Sequence, residues 1–578
     1  MAKTLEIIRD HRGIVTIPEM LARSARDFGP RRALSVFRDG AYQHITFEEL
    51  WNRAVLLAKA LKALGVGRGD RCAILGPNSP EWAQAFLGVA TAGATCVPID
   101  SLLKPYEFRH ILEEAKVKVI FVAKRFLDTI LEIDEDYHFK KIILLEDLKV
   151  EGLSENVAPF YSFLAEGKRV KDVPSPPGLD DIASLIYTSG TTGKAKGVML
   201  THRNIISDVA VIYQSVDFGL QDRVLLVLPM HHTFACTASF LLPLYAGAQV
   251  TFARSLKSRD IIADLKASRT TVMLGVPLLF QKIYEGIMRA VNKAPLSQRT
   301  LLKGFFKMVE MASRAGKEEE LAKVLFAKLR EKAGFGHLRF FVSGGAPLPP
   351  LLSQNFRKIG IKIIQGYGLT EASPVLTLNP PEAPRDGSIG LPLPGVEVKI
   401  VDPNREGVGD LCFRGPMIMK GYFENPTATS KIIDEEGFLH TGDLGYQDEN
   451  GYLYICGRAK NLIVTPAGKN VYPEEVEFAI NRSPFVLESM VYGIPTQRGG
   501  EEVAAVIVPD YEAIDRHFGK HLSEEDVREI IAKELRKSMK KVADYKRVKR
   551  FVIWDEELPK TSTRKIKRHL VLPTLLGL

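Results

Sequence analysis

"IYTSGTTGKAKGVMLTH" runs from Ile186 to His202 and decides how the chain is read. Within Thr188–Gly197 lie four hydroxyls (Thr188, Ser189, Thr191, Thr192), three glycines and two lysines. The preceding "DIASLIYTS" has the apolar run of a short buried strand, so the polar stretch is a loop leaving a strand end. Glycines let backbone N–H groups turn toward one anion, and hydroxyls and ammonium groups add donors and charge. That is the make-up of a phosphate-holding loop. It is not the G-x-x-x-x-G-K-[ST] loop. Thr188 stands where that loop has its first glycine, and Ala195 follows Lys194 where Ser or Thr belongs.

Working outward, the same strand-then-loop pattern recurs. "DRCAILGPNSPEWAQAFLGVATAGATCVPI" (70–99) and "DRVLLVLPMHHTFACTASFLLPLYAGAQVTF" (222–252) each read strand, loop, helix, strand. "LRFFVSGGAPLP" and "IKIIQGYGLTE" are strands ending in glycine-rich loops. Such alternation predicts α/β layers with parallel-type sheets. In open sheets of that kind ligands gather at the carboxyl ends of strands, so the loops after Leu185, Phe341 and Ile364 are expected to share one cleft. "TFEELWNRAVLLAKALKALGV" carries a capping box, Thr46 with Glu49, at the start of a predicted helix. Residues 281–332 are expected to be long charged helices. Beyond Gly387 the chain turns β-like and turn-rich, and a new strand–helix pattern begins near Arg458–Lys460. The expected division is therefore 1–457 and 458–578.

At 578 residues the chain needs at least two cores. Its composition, 46% hydrophobic and 25% charged, is that of an ordinary globular protein. No run of eighteen apolar residues and no apolar leader is present, which predicts a cytoplasmic chain without a membrane span. Five scattered cysteines, with no CxxC pair, read as reduced thiols packed as small apolar residues. The net charge of +9 gathers late, in "ELRKSMKKVADYKRVKR" and "KTSTRKIKRH". No aromatic-interleaved recognition motif accompanies that charge, so nucleic acid is not an expected partner. Anionic small molecules, an acidic carrier protein and an anionic membrane surface remain open, as does the oligomeric state.

"YTSGTTGKAKG", "QGYGLTE", "LHTGDLGY", "GRAKNLIV", "GKNVYPEEVE" and "LPKTSTRKIKR" occur in one order along the chain. On these six motifs the sequence resembles the acyl-adenylate-forming (AMP-binding) superfamily. "LPMHHTFACTASFLLPLYAGA" and "VPLLFQKIYEGIM" make it most like the long- or medium-chain fatty acyl-CoA synthetases. The resemblance implies a large multi-layer α/β N-terminal domain with a β-barrel-like subdomain, and a small mobile C-terminal domain. It implies a two-step reaction with ATP, Mg²⁺ and CoA. A carboxylate attacks the α-phosphorus of ATP to give acyl-AMP and pyrophosphate, and the CoA thiol then takes the acyl group and releases AMP. A carrier protein's phosphopantetheine arm is the alternative acceptor. A non-catalytic nucleotide- or acyl-binding regulatory protein is the alternative of another class, and it would be expected to lack the catalytic residues.

The resemblance also assigns roles. Thr188, Ser189, Gly190, Thr191, Thr192, Gly193 and Lys196 would hold the β- and γ-phosphates. Gly345, Ala346, Gln365, Gly366, Tyr367 and Gly368 would line the nucleotide site, with Tyr367 on the adenine. Thr370 would reach the α-phosphate and Glu371 would bind Mg²⁺. Asp443 and Arg458 would take the ribose. Lys460 would be the hinge, and Gly468, Lys469 and Asn470 would line the CoA tunnel. Lys565 would bridge the substrate carboxylate and the α-phosphate. His232, or His231 beside it, would stand where acyl pocket and CoA tunnel meet. Three positions depart from the family pattern: Arg564 replaces the usual glycine before the catalytic lysine, Ala195 a proline, and Ala235 a glycine.

Overall fold

The computed structural model describes residues 13–146, 155–188, 195–313, 316–497, 499–519, 522–540, 542–560 and 566–576. The chain divides into two compact units. The first comprises 1–397 with 414–437, and the second 398–413 with 438–578. The 457/458 boundary expected from the sequence pattern thus falls within the second unit.

Two sheets dominate the first unit. One has nine strands, and its inner strands, including Arg223–Leu226, Val272–Gly275, Phe340–Ser343 and Lys362–Gly368, run parallel. The other has eight strands, parallel from Arg71–Leu75 outward to Val157–Pro159. It ends in the antiparallel strands Ile182–Thr188, Lys196–Thr201 and Gly421–Tyr422. The strand Thr95–Ile99 is buried along its whole length and is apolar after Thr95, whose hydroxyl donates to the Ile182 carbonyl at 2.8 Å. The helix Pro80–Thr91 is buried along its whole length. Its Trp82 stacks on Phe86, and Phe86 meets Phe240 edge-on. The predicted capping box forms at Thr46 and Glu49, starting the helix Phe47–Ala63. The charged region is helical as expected, in Pro277–Asn292, Leu296–Ser313, Glu318–Leu325 and Ala327–Lys332. Phe305 and Phe306 pack there on the buried Phe326.

In the second unit, the segment expected to be barrel-like contributes a four-stranded sheet of Glu397–Val401, Gly409–Arg414, Leu439–Gln447 and Leu453–Arg458. A three-stranded sheet, Val486–Pro495, Glu501–Pro509 and Arg550–Ile553, packs with the helices Pro473–Ile480 and Glu524–Met539 around Val476, Val491, Ile507 and Ile531. All five cysteines are free, and four are buried. Among the described residues no helix is long and apolar enough to cross a membrane.

Candidate active site

The neighbouring parallel strands of the larger sheet present their carboxyl ends side by side. Gly275 pairs with Ser343, and Ser343 with Gln365. These pairings set the loop bearing Gly345 and Ala346 beside the strand end bearing Gln365, Gly366, Tyr367 and Gly368. Gln365 is buried. Gly368 is required where it stands, because a Cβ there would lie 1.6 Å from the Pro374 carbonyl oxygen. The tight turn that follows, Thr370–Ala372, carries Thr370 and Glu371.

Glu371 is fixed from the other sheet. Tyr422 Oη donates to Glu371 Oε1 at 2.8 Å, and the Met419 N–H donates to the Glu371 carbonyl at 2.8 Å. Lys196 Nζ lies 5.1 Å from the centre of the Tyr422 ring, a cation–π distance. Burial, together with the Glu371 carboxylate, pushes the Tyr422 phenol far up, so it stays a hydrogen-bond donor. Tyr422 thus links the start of the strand Lys196–Thr201 to the turn Thr370–Ala372. Ser189, Gly190, Thr191, Thr192 and Gly193 lie outside the described residues. Their flanks, Thr188 and Lys196, are paired in register.

Under the turn sits Asp208, fully buried on the helix His202–Ser215. It accepts the Val375 N–H at 3.2 Å, while Thr237 Oγ1 donates to the Ser373 carbonyl at 2.8 Å. Burial raises the Asp208 carboxyl well above its ordinary 3.8. The folded chain therefore keeps this proton at pH values where the unfolded chain has released it, and the group's contribution to stability falls as pH rises above that ordinary value. Asp208→Asn keeps an acceptor for Val375, so it is expected to fold and to gain on wild type by up to about 1.4 kcal/mol per pH unit across that window. Asp208→Ala leaves a buried N–H unpaired and is expected to cost about 1–3 kcal/mol. Denaturant midpoints at about pH 5 and about pH 7 check both.

His231 and His232 follow the strand Arg223–Leu226. Asn78, in the loop between the strand Arg71–Leu75 and the helix Pro80–Thr91, pins their loop: its Nδ2 donates to the Leu228 carbonyl at 2.7 Å and its Oδ1 accepts the Met230 N–H at 2.8 Å. The two imidazole rings lie 4.2 Å apart. His231 is buried, with Nε2 3.3 Å from Asp100 Oδ1. Burial and the neighbouring His232 hold it down to about 3, against the opposing pull of Asp100, so it is neutral at physiological pH. His232 is only half-buried, which leaves it the more accessible of the two.

In the second unit, Asp443 and Arg458 are opposite each other on paired strands. Arg458 Nε contacts Asp443 Oδ1 at 2.7 Å, and Nη2 contacts Oδ2 at 3.5 Å. Lys460 lies in the short turn Ala459–Asn461. Burial and the nearby Arg458 lower its ammonium below the usual lysine value. Gly468 and Lys469 lie in the tip of a small hairpin and Asn470 begins its return strand, paired with Val464; Gly468 is at φ +68° and the Lys469 N–H donates to Thr465 Oγ1 at 3.0 Å. Lys565 lies outside the described residues. Of the residues flanking it, Lys560 and Ile566 form an antiparallel bridge, and Arg568 is held by Glu477 and by the Val491 carbonyl.

Tyr422, Asp208, Asn78 and Asp100 are absent from the sequence-derived set. "KGYFENP" carried the only local hint of Tyr422, an aromatic in a turn-rich stretch. Nothing local marks Asp208, which reads as one more polar residue in a helix.

A two-sheet α/β unit with a separate C-terminal unit is the fold of adenylate-forming enzymes. The chain belongs to the AMP-binding enzyme family: the family pattern matches residues 21–423, and the AMP-binding enzyme C-terminal domain matches residues 475–565. It is 30% identical over 509 residues to long chain acyl-CoA synthetase 6, peroxisomal, of Arabidopsis thaliana, covering 84% of this chain and 72% of that one. It is also 30% identical over 560 residues to a long-chain-fatty-acid–CoA ligase of Escherichia coli O157:H7, covering 91% and 89%. Among solved structures, ATP-bound MatB from Rhodopseudomonas palustris matches with a TM-score of 0.76 at 26% identity, covering 97% of this chain and 99% of that one.

Proposed function

We propose that the protein is an ATP-dependent fatty acyl-CoA synthetase that works through an acyl-adenylate. The observation that carries this reading is the Lys196–Tyr422–Glu371 assembly, which holds a cation and a carboxylate at adjoining strand ends. The long-chain acyl-CoA synthetases among the relatives support the substrate class.

In this reading Lys196 and the hydroxyl loop bind the triphosphate, and Tyr367 covers the adenine. Asp443, oriented by Arg458, accepts the ribose hydroxyls in a fork. Glu371 fits Mg²⁺, a hard cation that needs only one or two carboxylates; bound there, Mg²⁺ would neutralise phosphate charge. Lys565 and Thr370 place the acid carboxylate against the α-phosphorus, since positioning and charge stabilisation are what nucleotidyl transfer asks of a protein. His232 stands by the acyl carbon for the second step, and Gly468, Lys469 and Asn470 guide the pantetheine arm. The proposed division at 457/458 makes Lys460 the hinge on which the C-terminal domain turns between steps.

Lys460→Pro removes an N–H and fixes φ, so thioester formation is expected to slow more than adenylation. Rapid-quench measurement of each half-reaction checks this, and unchanged rates in both would contradict the hinge. A cytoplasmic enzyme with peripheral membrane contact fits the helix Leu296–Ser313, which exposes Leu296, Leu301 and Met311 near Lys303 and Lys307.

The acceptor is tested by loading the enzyme with acyl-AMP and then supplying CoA or a phosphopantetheinyl carrier protein. Acyl-CoA is the expected product. Transfer to the carrier alone would replace this reading with carrier loading.

A further inference from the structure

Asp410, Cys412 and His440 meet on the sheet that bears Asp443. Cys412 is directly opposite His440 across paired strands, and Asp410 is two residues before Cys412. Three ligand-type atoms form a closed triangle there. Cys412 Sγ lies 3.2 Å from His440 Nδ1 and 3.5 Å from Asp410 Oδ2, and His440 Nδ1 lies 3.0 Å from Asp410 Oδ2.

Hydrogen bonds can join these atoms in pairs, and Cys412 Sγ also lies 3.7 Å from the Asp410 carbonyl oxygen. What sets the group apart is its donor set: a thiol sulfur, an imidazole nitrogen and a carboxylate oxygen, each a ligand for a divalent metal, converge on one point with their burial graded from Cys412 outward. One cation can meet all three atoms at once. We infer that Asp410, Cys412 and His440 form a binding site for one borderline-soft divalent cation of the Zn²⁺ or Co²⁺ class.

The dimensions agree. Bonds of about 2.0–2.3 Å in a tetrahedral site set ligand–ligand edges of about 3.3–3.6 Å, so the triangle need open by only a few tenths of an ångström. Cys412 closes the inner side, being fully buried, whereas His440 and Asp410 keep 31% and 24% of their side-chain surface exposed. The cation enters from that outer side, and water completes the fourth position. Binding converts the thiol to thiolate and releases its proton to solvent. The sulfur and imidazole ligands select against Mg²⁺, which keeps this site chemically separate from Glu371.

The cluster is bonded to the turn that presents Asp443. Asp410 Oδ1 accepts the Gly442 N–H at 3.1 Å. Thr441 Oγ1 donates to the Leu411 carbonyl at 2.7 Å and accepts the Asp443 N–H at 3.1 Å. Drawing Asp410 and His440 onto a cation re-aims this turn and weakens nucleotide binding. That consequence rests on the proposed ribose role of Asp443; the binding itself does not.

The test titrates the full-length protein with Co²⁺, read by thiolate-to-cobalt charge-transfer absorption. One Co²⁺ per chain, displaced by Zn²⁺, is expected. Cys412→Ser is expected to abolish the band, and His440→Asn to weaken binding by at least about tenfold, while His231→Asn leaves the band in place. A band that survives Cys412→Ser in folded protein overturns the site. ATP affinity, measured by equilibrium binding, is expected to fall on Zn²⁺ addition in wild type and not in Cys412→Ser. Stoichiometric Zn²⁺ binding with unchanged ATP affinity would overturn the coupling alone.

Discussion

Lys565→Ala is expected to lower acyl-AMP formation by roughly 10²–10³-fold and to spare thioester formation from synthetic acyl-AMP. The reason is electrostatic. In the first half-reaction an anionic carboxylate approaches a polyanionic triphosphate, and a positioned ammonium stabilises charge that peaks in the transition state. In the second half-reaction the adenylate is already an uncharged acyl donor at the reacting carbon, so the same ammonium has little to stabilise. Pyrophosphate release measures the first step, and acyl-CoA yield from supplied adenylate measures the second. Equal damage to both would contradict the divided role. The neighbouring Arg564 adds a cation where the family usually has glycine, so Arg564→Gly separates its contribution from that of Lys565.

Glu371→Gln is expected to lower adenylation by roughly 10²-fold or more and to raise the Mg²⁺ concentration needed for half-maximal rate. An amide keeps an acceptor for Tyr422 Oη, so the local structure survives and the loss is one of charge. Tyr422→Phe removes the 2.8 Å hydrogen bond but leaves the carboxylate, and its effect is expected to be smaller. Thermal midpoints near wild type for Glu371→Gln, with Mg²⁺ dependence shifted, are the predicted pair of results. An unchanged Mg²⁺ requirement would remove Glu371 from the metal site.

Much of this site can be read from sequence because its parts are local. An apolar run that breaks into glycines and hydroxyls marks a strand end, as at Thr188 and Gly368, whatever the rest of the chain does. What closes the site is not local. Tyr422 reaches Glu371 only because Gly421 and Tyr422 add a two-residue strand to Met199 and Val198, a pairing no periodicity announces. Asp208 is likewise polar in composition and buried in fact, since its helix packs beneath a turn far along the chain. The turn-rich pattern changes near Arg458, while compactness groups Val398–Phe413 with the chain from Phe438 onward, because Gly409–Arg414 pairs with Leu439–Gln447.

The most direct measurement of the account is acid-dependent pyrophosphate release with Mg-ATP, across straight-chain acids from acetate to oleate, with and without CoA. The account predicts release that rises toward longer acids, with one AMP and one acyl-CoA formed per pyrophosphate when CoA is present. Release with short acids alone, or none with any acid, would contradict it.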